Sequence, residues 1–180
     1  MAHAYPNSKI TAIDIGNEAI QLANNNFKNS SWSERLVGRI ENILEINSGE
    51  ADTYDLILCN PPYYFNQYSA RKESTTTSKH TLQNSGAWLK ALSSRLKKEG
   101  HLCLVLPFEI TFEWIKAANK FGLHCQHRLE VFSFPDDPKP IRCLIHFEGE
   151  LCKPEVTRLN IYQQIGVYSD EYYRFSGLQV

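Results

Sequence analysis

Short β-rich runs alternate with segments of helical periodicity over the first two thirds of the chain. The predicted strands are residues 8–16, 35–40, 54–60 and 101–107. A helix is predicted after the first of them, with Asn17 as its N-cap. Two further strands, 125–135 and 141–149, follow without a helix between them. This order predicts an α/β protein with a mostly parallel sheet and an antiparallel C-terminal hairpin at one edge.

Two more helices are predicted from apolar spacing. In GAWLKALSSRLKKEG, Trp88, Leu92 and Leu96 fall on one face, and Gly100 ends the helix. Phe112, Ile115 and Ala118 mark the other, which ends near Gly122. The polar, Thr- and Ser-rich residues 68–85 are predicted to form a long loop of the kind that often covers a functional site.

Length and composition bound the class of protein. A chain of 180 residues with 42% hydrophobic content fits one domain, residues 1–180. The net charge of -1 carries no general nucleic-acid signature. No apolar run is long enough to span a membrane, so a soluble, cytoplasmic protein is expected. Absence of any CxxC pair predicts that the cysteines are small buried hydrophobes, namely Cys59, Cys103, Cys125, Cys143 and Cys152.

The segment YDLILCNPPYYF places an asparagine, two prolines and aromatic residues at the end of a predicted strand. An amide or adenine nitrogen is a poor nucleophile, because its lone pair is delocalised. The Asn60 side-chain oxygen and the Pro61 carbonyl would accept hydrogen bonds from such an amine, and the two prolines would hold that carbonyl rigidly. Tyr63 offers a flat face for stacking a base. The structural alternative is that Pro61 and Pro62 only end the strand while the aromatics pack in the core.

Asp14 also stands at the end of a predicted strand. Ligands of open α/β sheets bind beyond the carboxyl ends of the strands, so we expect Asp14 and Asn60 to face one crevice. A carboxylate can accept two hydrogen bonds from a vicinal diol. The alternative role for an aspartate at such a position is turn formation.

The motif NPPYY after DLILC resembles motif IV of the amino-group methyltransferases that use S-adenosylmethionine. With ITAIDI, NSSWSERL, KHTL, EGHLCLVLP and PIRCLIHF, most of the chain resembles the tRNA1(Val) (adenine-37-N6)-methyltransferase family. The resemblance implies a Rossmann-like class I methyltransferase fold, S-adenosyl-L-methionine as cofactor, and tRNA as partner of a cytoplasmic monomer.

The resemblance also assigns site residues. The catalytic ones are Asn60, Pro61, Pro62 and Tyr63; the cofactor-binding ones are Asp14, Ile15, Asn42 and Asn60. Where the family has an acidic residue near the cofactor adenine this chain has Asn42, which can still accept from an amine. Residues implied to contact the substrate are Tyr63, Tyr64, Arg71, Lys79 and His80.

A second departure concerns the N-terminal part. The family's first strand and its glycine-rich turn have no counterpart, so the chain is expected to be an N-terminally shortened methyltransferase. Methylation of a DNA adenine or a protein glutamine, and a non-catalytic RNA- or partner-binding form, remain alternatives. The segment HCQH, residues 124–127, lacks a second ligand pair, so no metal is expected.

Overall fold

The structure, a computed structural model, describes residues 1–45, 52–62 and 77–177, except for the side chains of residues 77–84. The strands are β1 (Ile10–Asp14), β2 (Leu36–Ile40), β3 (Tyr54–Cys59), β4 (Leu96–Pro107), β5 (His124–Phe132), β6 (Arg142–Glu148), β7 (Glu155–Asn160), β8 (Tyr162–Gln164) and β9 (Val167–Tyr168). The helices are α1 (Asn17–Lys28), α2 (Thr77–Ser94), α3 (Phe108–Ala118) and α4 (Asp170–Ser176). Two compact units, Met1–Ala51 and Asp52–Val180, divide the chain.

The first unit is a strand, helix and strand. β1 and β2 pair in parallel, with Ile10 opposite Leu36 and Asp14 opposite Ile40. Helix α1 packs against both strands. Gly16 is the N-cap and Asn17 is the first helical residue, so the predicted cap is displaced by one position. The reason is local, because the Asp14 carboxylate accepts from the Gly16 N–H and closes the turn before the helix.

The second unit contains a five-stranded sheet in the order β3-β4-β6-β5-β7. β3 and β4 are parallel, β6 is antiparallel to both β4 and β5, and β7 is parallel to β5. The predicted antiparallel hairpin is confirmed as β5 and β6, but it does not lie at the edge of the sheet, because β6 is inserted between β4 and β5 and β7 pairs with the other side of β5. Because β6 is antiparallel to both of its neighbours, β4 and β5 are parallel to each other. Strands β3, β4 and β5 therefore run in the same direction, and their carboxyl ends lie at the same edge of the sheet.

One face of this sheet carries the core. Every second residue is buried from Gly100 to Leu106 in β4 and from Cys143 to Phe147 in β6, as alternation along a strand requires. Helix α3 packs against β4, β5 and β6, and α2 packs against α3 and β4. The fully buried large side chains include Leu89, Leu92, Leu102, Leu104, Leu106, Trp114, Ile145 and Phe147. A continuous apolar run such as that of β3 is typical of a strand covered on both faces, but Leu58 of β3 is 52% exposed.

Helix α2 starts earlier and ends earlier than predicted. It begins at Thr77, so residues 77–85 of the predicted loop are helical. No Gly or Pro interrupts residues 71–85, and the helix extends through this polar stretch once Leu89 and Leu92 are packed. At the other end α2 stops at Ser94, because the Arg95 carbonyl accepts from the Tyr54 N–H at 2.8 Å and the chain joins the sheet.

Lys97, Lys98 and Gly100 consequently lie in β4 and not in a helix. Gly100 approaches β3 closely: a Cβ there would lie 3.0 Å from the Tyr54 carbonyl and 2.8 Å from the Leu96 Cγ. The absence of a side chain at Gly100 therefore allows β3 and β4 to approach each other closely.

The buried face of α3 also differs from the prediction. Thr111, Trp114 and Ala118 are buried, whereas Phe112 is 54% exposed, with the Arg128 guanidinium 4.8 Å from its ring centre. The helix ends as predicted, because Gly122 follows its last short turn in the left-handed conformation.

The cysteine prediction is partly wrong. Cys125 and Cys143 are buried, Cys59 and Cys103 are half-buried, and Cys152 is exposed. Strands β7 to β9 were not predicted from the sequence.

Candidate functional site

The Asn-Pro-Pro corner follows the last residue of β3. Cys59 pairs with Leu104 of β4, and the ladder ends there. Asn60 is exposed, Pro61 is buried and Pro62 is exposed. Two prolines cannot donate to a ladder, so the strand must end and the backbone must leave in a fixed direction. An exposed amide therefore stands beside an anchored proline.

Burial controls the chemistry of the neighbouring thiol. It raises the pKa of Cys59 to about 11, so this side chain is a neutral thiol near pH 7. The thiolate is the nucleophilic form of cysteine. A covalent role for Cys59 at the corner is therefore disfavoured.

Asp14 and Ile15 lie at the end of β1 in the first unit. One Asp14 carboxylate oxygen accepts from the Gly16 N–H at 2.7 Å, and the side chain is exposed. Ile15 is 73% exposed. The Asp14 carbonyl accepts from the Glu41 N–H at 3.0 Å, which holds the ends of β1 and β2 together.

Asn42 follows β2 near this strand end, and its side chain is engaged locally. The amide oxygen accepts from the Leu44 N–H at 3.1 Å, and the amide nitrogen donates to the Glu45 carboxylate at 2.7 Å. A carbonyl oxygen has two lone pairs, so one remains for a ligand donor. The structure brings Asp14, Ile15 and Asn42 to the ends of one strand pair.

The remaining site residues divide by what the structure describes. Lys79 and His80 lie in the first turns of α2, whose side chains there are not described. Tyr63, Tyr64 and Arg71 lie outside the described residues. Asp14 belongs to the first unit and Asn60 to the second, so their common crevice stays a prediction.

Sequence reasoning missed a cavity at the edge where β3 and β5 both end. Its volume is about 570 Å³, and it is formed by the turn after β5 and the β8-β9 hairpin. The lining residues are Phe134, Pro135, Asp136, Gln163, Gln164 and Ile165. In the sequence the turn PDDPKP only joins two predicted strands, and the β8-β9 hairpin has too little periodicity to be predicted.

The sheet order and the strand-end corner define a class I S-adenosylmethionine-dependent methyltransferase fold. A structure described as a predicted O-methyltransferase of Agrobacterium tumefaciens superimposes with a TM-score of 0.66 at 15% identity, covering 90% of this chain and 74% of that one. A methyltransferase of Pyrococcus furiosus gives a TM-score of 0.56 at 20% identity, covering 84% and 68%.

Sequence similarity is more specific. The methyltransferase small domain model matches residues 1–123. The tRNA1(Val) (adenine(37)-N6)-methyltransferase of Vibrio campbellii is 32% identical over 174 residues, which are 95% of this chain, and the match covers 70% of that protein. The chain belongs to the tRNA1(Val) (adenine(37)-N6)-methyltransferase family, as the sequence motifs predicted. Among the described residues, no helix has the length and apolar content needed to cross a membrane.

Proposed function

We propose that this chain transfers a methyl group from S-adenosyl-L-methionine to the N6 amine of an adenine in a tRNA anticodon loop. The observation that carries the proposal is the exposed Asn60 beside the buried Pro61 at the end of β3. A cytoplasmic monomer is the form we expect for this activity.

The chemistry of the residues in the first unit fits the adenosine part of the cofactor. The Asp14 carboxylate uses one oxygen on the Gly16 N–H and has a second oxygen with which to accept from ribose hydroxyls. The exposed Ile15 offers an apolar contact for the adenine ring, and Asn42 an acceptor for its amine. The fit consists in the hydrogen-bonding types of these side chains and in their common position at the ends of β1 and β2.

Held by Asp14, Ile15 and Asn42, the cofactor would supply an electrophilic methyl group for the target N6, and water would take up the proton that the amine gives up. The Asn60 side-chain oxygen and the Pro61 carbonyl accept hydrogen bonds from the target amine. These bonds favour a pyramidal nitrogen with a localised lone pair, and fixed acceptors need no reorganisation during the reaction. Tyr63 stacks on the target base. The neutral Cys59 thiol leaves direct transfer as the simplest course.

Binding of the tRNA loop is assigned to residues near the corner in sequence. An unstacked loop base is read by stacking and by hydrogen bonds to its edges. Tyr64 adds a second aromatic surface, while Arg71, Lys79 and His80 would contact phosphates. These assignments rest on side-chain chemistry and on the family resemblance.

Methyl transfer from labelled cofactor to an unmodified tRNA tests the proposal. The substrates are a tRNA transcript with an adenine at the target position, the same transcript with guanine there, a DNA duplex and a bulk protein fraction. We expect label only in the adenine transcript. Label in DNA or protein would move the activity to another acceptor, and no label in any substrate would contradict the proposal.

Variants of Asn60 test the site itself. Asn60→Ala removes one acceptor, and loss of a single preorganised hydrogen-bonding group typically lowers kcat about 100- to 1,000-fold. Asn60→Asp keeps an acceptor oxygen and should retain more activity than the alanine variant. Asn119→Ala, an exposed asparagine after α3, is the matched control and should behave as wild type.

A further inference from the structure

Three side chains converge on the half-exposed face of the five-stranded sheet, opposite the core. His101 comes from β4, and His146 and Glu148 come from β6. The His101 Nδ1 lies 3.0 Å from the His146 Nε2 and 3.0 Å from the Glu148 Oε1. The His146 Nε2 lies 3.2 Å from the same carboxylate oxygen. The three atoms form a nearly equilateral triangle.

The register of the strands produces this triangle. Cys103 pairs with His146, and Leu102 pairs with Phe147. The next residues along the two strands are His101 and Glu148, which point to the same face as His146 because side chains alternate along a strand. The triangle is therefore built by backbone pairing.

Hydrogen bonds cannot satisfy all three contacts at once. If both facing ring nitrogens carry a proton, each donates to Glu148 and the contact between the rings is between two N–H groups. If only one nitrogen is protonated, it donates along one edge of the triangle, and the other nitrogen turns its lone pair towards the carboxylate. In each of these two states, at least one of the three contacts joins two donors or two acceptors. A cation between the three atoms removes this conflict, because every lone pair then points at it.

We propose that His101, His146 and Glu148 bind one divalent transition-metal ion, for which zinc is the natural candidate. Two imidazoles and a carboxylate are a ligand set that zinc accepts at bond lengths of about 2.0–2.2 Å. Atoms bonded at that distance to one ion lie about 3.0–3.5 Å apart, depending on whether its geometry is octahedral or tetrahedral. The three measured separations are at the short end of this range.

The site is separate from the proposed catalytic corner. His101 pairs with Leu56 of β3, whereas Cys59, which precedes the corner, pairs with Leu104. Three residues along a strand correspond to about 10 Å. A bound ion would therefore join β4 to β6 and stabilise the sheet without touching the reacting atoms. The inference does not rest on the proposed function.

This proposal revises the expectation of no metal. The expectation of no metal was based on the segment HCQH. His127 of that segment is not part of the triangle, because its Nε2 lies 2.7 Å from the Thr157 Oγ1. The three proposed ligands are spread over 48 residues of chain, and no motif joins His101 to the other two.

Zinc and cobalt titrations of the untagged chain, freed of metal with a chelator, test the site. We expect one equivalent of Zn²⁺ by calorimetry and d–d absorption without thiolate charge-transfer bands from the Co²⁺ form. Binding should raise Tm by about 5–10 °C at a zinc concentration a hundred times its Kd. Absence of binding by the folded chain, or a thiolate signature in the cobalt spectrum, would overturn the proposal.

Three variants locate the ion. His101→Asn and Glu148→Gln should each weaken zinc binding by at least the 10- to 100-fold typical of losing a supporting residue. The His101 side chain is 47% exposed, so its variant should keep the fold, which circular dichroism checks. His127→Gln, on the neighbouring strand, is the control and should bind as wild type. Equal affinity in His101→Asn, Glu148→Gln and wild type would refute the assignment.

Discussion

Asp14 closes a turn and has a carboxylate oxygen with which to bind a ligand. Its first oxygen accepts from the Gly16 N–H at 2.7 Å, and asparagine can make that same bond. The Asp14→Asn substitution therefore keeps the turn and removes the charge. Turn formation and cofactor binding, which the sequence left as alternatives, become separable.

We predict that Asp14→Asn weakens binding of S-adenosyl-L-methionine about 10- to 100-fold, the equivalent of losing a charge-assisted hydrogen bond. Calorimetric titration measures the Kd. Glu18→Gln, an exposed acidic residue in the first turn of α1, is the control for the loss of one charge. Equal weakening by both variants would mean that general charge, and not the ribose contact, is responsible.

Glu109 at the start of α3 is a second residue with a charge-dependent role. Its own backbone N–H and then Lys139, whose Nζ lies 3.0 Å from the carboxylate, hold the pKa of Glu109 below its usual value. A lowered carboxyl pKa contributes stability that is present above the unfolded pKa and is lost as the pH falls through the folded pKa.

Glu109 and Lys139 should thus be coupled at pH 7 and should lose this coupling as the pH falls through the folded pKa of the carboxyl. The coupling free energy should not exceed about 1 kcal/mol, because both side chains are largely exposed. Urea unfolding of Glu109→Gln, Lys139→Gln and the double variant gives the coupling at each pH. A coupling that does not decrease as the pH is lowered would contradict the assignment to an ionised carboxylate.

At the scale of elements, one side chain joins α1 to β2. Asn24 accepts from the Gly38 N–H at 2.8 Å and donates to the Gly38 carbonyl at 3.2 Å. A Cβ on residue 38 would lie 2.9 Å from the Asn24 Oδ1, so the close contact requires glycine. The pair satisfies backbone groups of a strand that pairs with β1 in the described sheet.

Asn24→Ala should lower the free energy of unfolding by about 1–3 kcal/mol, because two half-buried backbone groups lose their partner. Asn25→Ala, one position on and exposed, should stay within about 0.5 kcal/mol of wild type. Urea unfolding monitored by circular dichroism compares the two. Equal stability of both variants would mean that water replaces the Asn24 side chain without loss.

Two glycines at different places in helical segments should respond oppositely to one substitution. Gly122 has φ of 71° after α3, whereas Gly86 lies within α2, and a Cβ at either position meets nothing within 4 Å. Sterics are thus equal and only backbone preference differs. Gly122→Ala should lower the free energy of unfolding by about 1–2 kcal/mol. Gly86→Ala should raise it by about 0.5–1 kcal/mol.

The comparison of unfolding midpoints for the two variants carries its own control. If both substitutions change stability in the same direction, conformational preference does not determine the effect.

The ends of α2 also show how intrinsic preference and tertiary contacts compete. Intrinsic preference indicated a polar loop before residue 85, but burial of Leu89 and Leu92 outweighs weak local preference, and pairing with Tyr54 ends the helix before Lys97.

At the scale of the whole molecule, the reactivity of the cysteines measures how well different parts of the second unit are protected from solvent. Cys152 is exposed, with its Sγ near the Gln126 amide oxygen, while burial raises the pKa of Cys59, Cys103, Cys125 and Cys143. Only exposed, ionisable thiols react rapidly with disulfide reagents.

At pH 8 we expect one fast-reacting thiol in the native chain and all five in urea. The Cys152→Ser variant should lose the fast phase and keep the slow ones, as followed by absorbance of the released thiolate. A fast phase of more than one equivalent would show that half-buried Cys59 or Cys103 is accessible in the native state.

The sequence alone predicted β1, β2, β3, β5, β6 and the second half of β4, together with the α/β class, the family and the candidate residues of the Asn60 corner. These follow from local signals, namely apolar periodicity and the inability of Pro61 and Pro62 to continue a ladder. The candidate site residues could be proposed from the sequence because most of them fall at strand ends or in one short motif.

Only the tertiary structure decided what depends on pairing between distant segments. The insertion of β6 between β4 and β5, the end of α2 at Ser94 and the cavity after β5 each require partners far along the chain. The triangle of His101, His146 and Glu148 arises in the same way, because a register of backbone hydrogen bonds places side chains together that no spacing in the sequence relates.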